Sequence, residues 1–288
     1  MTIFHELDVT RQGKMLLQQI TDTVLPPAAV AIWALGQNGF LLKWQSITIM
    51  FDPYLTNSIY EAAGEPWSRA YPSPLAPSQC ATIDYVVCSH HHDDHMDKQT
   101  IQQMAAYPHT KFVVPKAHEK LIESYGVDVS RVITISHGEQ IKLTDGVMLK
   151  AHKAMHDQFE TDEQGEHKYL SYVVSFGDKL QLFHAGDTVG FSTLAEWAKA
   201  DGDIDVAMLP INGRDFSRTE RGIVGNMNYR EAIDLGRRMK AKLLVPMHVG
   251  IFPHNDENPA FFVDYLFHQY PMQSFHLFAP GERFIYWQ

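Results

Sequence analysis

The residues from 88 to 95 contain four histidines and two aspartates, directly after an apolar stretch of the chain. Among them His90, His92, Asp94 and His95 form the pattern H-x-H-x-D-H. Zn2+, Mn2+ and Fe2+ all accept imidazole and carboxylate groups as ligands. A loop that leaves a strand can direct alternate side chains towards one ion. The pattern therefore predicts a metal site, because a solvated polar turn does not require these residue types in this order.

Four residues this close together cannot enclose two ions, so further ligands must come from elsewhere in the chain. Asp187 and His248 each follow a short apolar stretch. Open α/β proteins place their sites at the carboxyl ends of strands, where these two side chains are expected. His152 and His156 both stand near the end of another predicted strand, and one of the two is expected to bind metal.

The order H-x-H-x-D-H, a later histidine, Gly-Asp-Thr at 186–188 and a histidine after a short strand resembles the metallo-β-lactamase superfamily of dinuclear metallohydrolases. The resemblance implies two divalent metal ions, Zn2+ or Mn2+, and assigns their ligands by motif position. The first ion is expected to bind His90, His92 and His156, the second Asp94, His95 and His248, with Asp187 as the bridge. His156 is preferred because in the superfamily this histidine closes its strand just before a loop, and His152 is the alternative.

Three further segments resemble the branch of the superfamily that contains the bacterial L-ascorbate-6-phosphate lactonases. They are 30–36 with 51–53, 221–227 and 246–248. The likeness implies a hydrolase that opens a small lactone, such as a phosphorylated sugar-acid lactone of the L-ascorbate 6-phosphate type. A metal-bound hydroxide is the expected nucleophile, and Asp94 is expected to orient it and accept its proton. A phosphodiesterase on the same dinuclear core is the alternative, and a metal-binding protein without turnover is a third hypothesis.

Substrate contacts are predicted in the segment after another apolar strand. Asn212, Arg214, Arg218 and Arg221 stand there, and arginine binds phosphate through paired hydrogen bonds. The same residues, mixed with acidic residues, also fit a solvated surface.

Two further features of the sequence each leave two interpretations open. Asp52 either fixes the histidine loop by hydrogen bonds or is a turn acid before proline, and 157–168 is either a flap near the metal or an exposed insertion.

Composition agrees with a soluble enzyme, and we expect a cytoplasmic location and a small-molecule substrate. The chain has 288 residues, of which 45% are hydrophobic, and a formal net charge of -10. This charge argues against a nucleic-acid partner, because phosphate backbones are bound by clustered Lys and Arg. The sequence shows neither a signal peptide nor an apolar stretch of membrane-spanning length. The two cysteines are expected to be reduced thiols. The sequence does not determine whether the protein forms a homo-oligomer.

Periodicity predicts an α/β (α+β) protein, a single domain over 1–288, with an N-terminal helix at about 11–25 and two fused βα halves. The resemblance implies a four-layer αβ/βα sandwich of two mixed sheets with helices outside. Further helices are predicted at 98–106, 117–125, 193–199, 229–239 and 259–268. Strands are predicted at 30–35, 39–44, 46–51, 111–114, 132–135, 147–150, 169–176, 180–183, 206–209, 243–245 and near 275–278.

Overall fold

The computed structural model of the protein describes residues 11–178, 180–200 and 202–288. They form two mixed seven-stranded sheets together with helices. The sequence prediction of an α/β protein built on two mixed sheets is therefore confirmed.

The first sheet has the strand order β14-β1-β2-β3-β4-β5-β6. Its strands are β1 (Ala29–Gly36), β2 (Gly39–Trp44), β3 (Ile47–Phe51), β4 (Tyr85–Val87), β5 (Lys111–Pro115), β6 (Val132–Ile135) and β14 (Arg283–Trp287). The second sheet has the order β13-β12-β11-β10-β9-β8-β7. Its strands are β7 (Gln140–Thr144), β8 (Val147–Lys153), β9 (Leu170–Phe176), β10 (Leu180–His184), β11 (Val206–Pro210), β12 (Leu243–Met247) and β13 (Ser274–Phe275).

Of the described helices, one precedes β1, and the others lie between strands along the chain. They are α1 (Gly13–Asp22), α2 (Ser58–Ala63), α3 (Lys98–Met104), α4 (Glu119–Ser124), α5 (Leu194–Ala198), α6 (Phe216–Glu220), α7 (Tyr229–Arg238) and α8 (Pro259–Gln269). Short 3-10 turns occur at Pro77–Gln79, Lys116–His118, Val129–Arg131 and Pro253–Asn255. In the part of the chain that the structure describes, no helix is long and apolar enough to cross a membrane.

Both sheets begin as antiparallel meanders and continue as parallel strands. In the first sheet β1 to β3 are antiparallel, whereas β3, β4 and β5 run parallel, with Phe51 paired to Val87 and Val87 to Val113. In the second sheet β10, β11 and β12 are parallel, with His184 paired to Met208. The carboxyl ends of parallel strands meet at one edge of a sheet. The loops that follow these strands are therefore neighbours within each sheet.

The first sheet is covered by a continuous apolar core. Leu16 of α1, Trp33 of β1 and Phe112 of β5 belong to it and are completely buried. Burying side chains of this kind contributes about 1.5–3 kcal/mol each. The indole Nε1 of Trp33 donates a 2.9 Å hydrogen bond to Oε1 of Gln19, so the one polar atom of this ring has an acceptor. Helix α1 is thus held to the sheet by packing and by a directed contact.

The chain separates into two compact units. One holds the described residues up to Val114, with Glu119–Ile133 and Phe278–Gln288. The other holds Pro115–His118 and Thr134–Leu277. Each unit contains residues from separated parts of the sequence, so the division follows contacts rather than a linker. The assignment of the whole chain to one domain stays a prediction.

Several elements differ from the sequence-based expectation. The helix expected at about 11–25 spans Gly13–Asp22, and the strand expected near 275–278 is only Ser274–Phe275. Strands β7 and β14 and helices α2 and α6 were not predicted from the sequence. Strand β14 alternates between exposed and half-buried residues and lies at the edge of the first sheet, where it pairs with β1. Its pairing partner is about 250 residues away along the chain, so local periodicity carries little information about it.

Candidate metal centre

The first group of candidate ligands lies in the loop between β4 and α3. His90 is completely buried, and its Nδ1 lies 2.9 Å from the hydroxyl of Ser89. Its Nε2 lies 3.0 Å from Nδ1 of His92. Since Ser89 engages one ring nitrogen of His90, the other nitrogen is directed towards His92. Two imidazole nitrogens therefore face the same point.

Asp94 and His95 form a second pair in the same loop. Oδ2 of Asp94 lies 3.6 Å from Nε2 of His95 and accepts a 3.0 Å hydrogen bond from Nε2 of Gln37. Gln37 stands in the tight turn between β1 and β2 with a φ of 50°. This turn therefore positions the carboxylate of Asp94.

Asp52 holds the histidine loop from the end of β3. Its carboxylate accepts hydrogen bonds from the backbone N–H of Ser89 at 2.7 Å and the hydroxyl of Ser89 at 2.6 Å. Nδ1 of His95 lies 2.8 Å from Oδ2 of Asp52. A carboxylate in this position fixes the ring so that Nε2 is the nitrogen presented to an ion. Asp52 thus contacts both Ser89 and His95 of the histidine loop, and its role in metal binding stays a prediction.

The far end of the loop is anchored by Asp97, which the sequence analysis missed. Its carboxylate caps α3 by accepting from the backbone N–H groups of Gln99 and Thr100. It also accepts hydrogen bonds from the hydroxyls of Thr56 at 2.7 Å and Ser58 at 2.8 Å. The available signal was an aspartate followed by a helical stretch, which is the ordinary pattern of a helix N-cap.

The second unit contributes His156, Asp187 and His248, which meet at one carboxylate oxygen. Oδ2 of Asp187 lies 3.4 Å from Nε2 of His156 and 3.3 Å from Nε2 of His248. The three residues are 4%, 3% and 2% exposed. A carboxylate oxygen between two imidazoles has the arrangement of a ligand that is shared by two ions.

Sharp left-handed backbone turns place these residues directly after their strands. His248 follows β12 with a φ of 60°, and Asp52 follows β3 with a φ of 41°. Gly186, just before Asp187, has a φ of 59°. For residues other than glycine this conformation costs about 1–2 kcal/mol, so surrounding contacts must maintain it.

Hydrogen bonds join the loops of His156 and Asp187. The backbone N–H of Met155 donates to the hydroxyl of Thr188 at 3.0 Å, and the N–H of Val189 donates to the carbonyl of Met155 at 2.7 Å. Tyr169 packs its ring edge-on against His156 with centroids 5.3 Å apart. Burial raises the pKa of Tyr169 to about 12, and the charges of Glu160 and Asp187 act in the same direction. The phenol of Tyr169 is therefore neutral at physiological pH.

His152, the alternative to His156, lies in a different environment. It is part of β8 and stacks on the indole of Trp197, with ring centroids 6.4 Å apart and an interplanar angle of 14°. Its strand register pairs it with Ser171. His156, by contrast, follows the end of β8, and its Nε2 lies 3.4 Å from Oδ2 of Asp187.

The separations between donor atoms fit a metal centre. Two ligand atoms about 2.1 Å from one ion, at the tetrahedral angle, are about 3.4 Å apart. The four separations given above within the two units are 3.0, 3.6, 3.4 and 3.3 Å. The donors are imidazole nitrogens and carboxylate oxygens, which suit divalent transition metals. Each unit therefore presents donor atoms at coordination distances.

Arg214, predicted as a substrate contact, bonds to the ligand loop. Its Nη2 donates to the carbonyl of His156 at 2.7 Å and to the carbonyl of Gly225 at 2.9 Å. Nη1 lies 3.2 Å from the carboxylate of Asp157. These bonds hold the backbone at His156, so the guanidinium positions a candidate ligand. Its role in substrate binding stays a prediction.

Arg218 and Asn212 belong to a buried polar network. Arg218 is 7% exposed, and its guanidinium contacts Asp215 and donates to the carbonyl of Asn212 at 2.8 Å. The amide of Asn212 donates to Asn255 at 3.2 Å and accepts from Asn226 at 3.1 Å. Arg221 is exposed and donates to the carbonyl of Ser217. The first two residues therefore stabilise the loop from within, and their substrate roles stay predictions, as does that of Arg221.

Comparison with known proteins agrees with these features. The family model described as "Beta-lactamase superfamily domain" matches residues 31–248. A "UPF0173 metal-dependent hydrolase" from Pyrobaculum neutrophilum is 28% identical over 229 residues, which cover 78% of this chain and 86% of that protein. Residues 31–248, which the family model matches, include all the candidate metal ligands.

Solved structures show the same fold. Igni18, a metallo hydrolase from Ignicoccus hospitalis, has a TM-score of 0.70 and 20% identity, covering 90% of this chain and 98% of that one. The metallo-β-lactamase fold protein YhfI from Bacillus subtilis has a TM-score of 0.64 and 12% identity, with coverage of 90% and 99%. The predicted metallo-β-lactamase fold is confirmed by these likenesses.

Proposed function

The chain belongs to the β-lactamase superfamily domain family and is a metal-dependent hydrolase, and we propose that it opens a small lactone. The substrate class is a cyclic carboxylic ester, in the narrower form a phosphorylated sugar-acid lactone. The substrate is a small molecule rather than a nucleic acid or a membrane, and the proposed location is the cytoplasm.

The observation that carries the proposal is the position of Oδ2 of Asp187 between the imidazoles of His156 and His248. We assign His90, His92 and His156 to a first divalent ion and Asp94, His95 and His248 to a second, with Asp187 shared by both. Support comes from the donor separations within each unit and from the resemblance of the motif order. Five imidazoles among seven ligands favour Zn2+, and Mn2+ is the alternative.

Two divalent ions bound to these ligands would lower the pKa of a water towards about 7 and polarise an ester carbonyl. The residues of the chain supply orientation and proton transfer. The carboxylate of Asp94 is held by Gln37, so it can accept a proton from the attacking water and deliver it to the alkoxide of the opened ring. Asp52 keeps Nδ1 of His95 engaged, which leaves Nε2 for coordination.

The ester is favoured over the phosphodiester because of the charges that the chain provides. A phosphodiester carries a negative charge in the ground state and gains more in the transition state, so cationic side chains are needed to compensate it. All three arginines predicted as substrate contacts, Arg214, Arg218 and Arg221, direct guanidinium bonds to the protein itself.

The proposal is tested by initial rates of protein reconstituted with Zn2+ or with Mn2+. The substrates are a phosphorylated sugar lactone and a generic phosphodiester, with Asp94→Ala as the blank and Asp84→Asn as a control carboxylate outside the ligand set. We expect lactone opening that Asp94→Ala abolishes and Asp84→Asn retains. Phosphodiester cleavage without lactone opening would establish the alternative activity. Absence of turnover on both substrates, with metal bound, would favour a protein that binds metal without hydrolysis.

A further inference from the structure

Arg69 is a partly buried guanidinium in the loop between α2 and β4, and most of its contacts are to neutral groups. Nη1 donates to the carbonyls of Tyr54 at 3.0 Å and Thr56 at 3.3 Å, and Nε donates to the carbonyl of Tyr71 at 3.2 Å. The guanidinium carbon lies 4.7 Å from the ring centroid of Tyr54. Burial lowers the pKa of Arg69, and the nearby tyrosines and Asp97 oppose this effect.

The remaining nitrogen, Nη2, has no hydrogen-bond partner in the described part of the chain and is shielded from solvent. Among the same residues, no carboxylate forms an ion pair with Arg69. A buried donor on a charged group loses hydration without compensation unless an acceptor binds it. Nη2 is therefore a donor whose hydrogen-bonding capacity an anionic acceptor would satisfy.

The contacts of Arg69 lead to the metal-binding loop. Thr56, whose carbonyl Nη1 contacts, donates its hydroxyl to Asp97, two residues after the candidate ligand His95. Tyr54, on whose ring the guanidinium stacks, follows two residues after Asp52, which holds His95. Arg69 is thus attached to the segment that supports both ends of that loop.

We propose that Nη2 of Arg69 binds an oxyanion of the substrate, a phosphate or a carboxylate, and so selects an anionic lactone over a neutral one. This inference rests on the proposed lactonase function and adds a specificity residue that the sequence motifs do not indicate. Guanidinium groups bind oxyanions by charge-assisted hydrogen bonds, and loss of such a bond weakens binding roughly 10- to 100-fold.

Arg131 offers a matched control in the same unit. Its guanidinium also lies over an aromatic ring, that of Phe112 at 5.9 Å, and it also donates to backbone carbonyls. The difference is that both terminal nitrogens have acceptors, because Nη1 bonds to Tyr107 and Nη2 to Ala105. Arg131→Met thus removes a similar structural contact without removing an unpaired donor.

The test compares wild type, Arg69→Met, Arg69→Lys and Arg131→Met, all loaded with metal. Inorganic phosphate and acetate are titrated into each protein by calorimetry. Because all four proteins contain the metal ions, anion binding to those ions contributes equally to every titration. We expect wild type and Arg131→Met to bind one of these anions equally, and both Arg69 variants to bind it at least 10-fold more weakly. Arg69→Lys keeps the charge and retains a folded protein for comparison if Arg69→Met does not fold. Equal affinities in all four proteins, or no binding by wild type, would overturn the proposal.

A second arm measures kcat/KM for a phosphorylated lactone and for its dephosphorylated form. We expect Arg69→Met to lose roughly 10- to 100-fold on the phosphorylated form and to keep its rate on the neutral form. An equal loss on both forms would show a structural role and overturn the inference. If wild type opens neither lactone, the proposed function fails, and the anion titration still decides the role of Arg69.

Discussion

Oδ2 of Asp52 lies 2.8 Å from Nδ1 of His95, and both residues are completely buried. The same carboxylate holds Ser89, whose hydroxyl in turn contacts His90. One side chain at the end of β3 therefore orients two histidines of the loop after β4. This explains how a loop rich in polar residues can present ring nitrogens in fixed directions.

Asp52→Asn should weaken metal binding by roughly 10- to 100-fold, because the amide cannot serve both Ser89 and His95 as acceptor. A competition titration with a chromophoric chelator measures this affinity. The matched control is Asp84→Asn. The carboxylate of Asp84 accepts hydrogen bonds from the backbone N–H and the hydroxyl of Thr48 at 2.8 and 2.9 Å, just as Asp52 accepts from Ser89. Asp84 lies at the opposite end of the paired strands β3 and β4. Equal loss of affinity in both variants would contradict the role assigned to Asp52.

Arg214→Gln should reduce metal retention, because the guanidinium holds the carbonyl of His156. We expect an affinity loss of about 10-fold, the lower end of the range for groups that orient ligands. Metal content after dialysis against a weak chelator measures it, with exposed Arg221→Gln as the control. Unchanged metal content together with a raised KM would instead assign Arg214 to the substrate.

The two thiols should be unreactive in the folded protein. Cys80 is 1% exposed, and burial raises its pKa to about 12, while Cys88 is completely buried. Since the thiolate is the reactive form, a colorimetric thiol reagent at pH 8 should modify neither cysteine. After addition of denaturant it should modify both. Rapid labelling of the native protein would show that the packing around these residues is looser than in the structure.

Acid should destabilise the contacts around His137. Burial lowers the pKa of His137 and of His167, and the charge of Lys153 acts in the same direction. The unfolded chain, with a histidine pKa near 6.5, therefore binds protons first, so stability falls as the pH decreases through this value. His137→Asn should show a smaller decrease in Tm between pH 8 and pH 5.5 than wild type. Exposed His109→Asn should behave as wild type, and a His137→Asn profile identical to wild type would refute the assignment.

Much of the fold was predictable from local patterns. The buried strands β1, β2 and β11 consist mostly of apolar residues, and the structure places them within one residue of the predicted bounds. Elements defined by distant partners were not predictable in this way. Strand β14 pairs with β1, and its exposed and half-buried residues alternate without a strong apolar signal.

The sequence indicated candidate ligands more readily than the residues that position them. His90 and His92 belong to a compact motif, whereas Gln37 and Thr188 act through hydrogen bonds from separate loops. The burial of Arg218 was also not predictable, since an arginine close to acidic residues in the sequence is typical of an exposed surface. It is buried because Asp215 and the carbonyl of Asn212 satisfy its guanidinium.

Metal content per chain tests the central claim most directly. Protein purified after reloading with Zn2+ or Mn2+ should contain two equivalents by elemental analysis, and His156→Ala and His248→Ala should each retain about one. His152→Ala should keep both equivalents of metal, because the His152 ring stacks on Trp197 and is not one of the proposed ligands. One equivalent or fewer in wild type, or equal losses in His152→Ala and His156→Ala, would contradict the dinuclear centre.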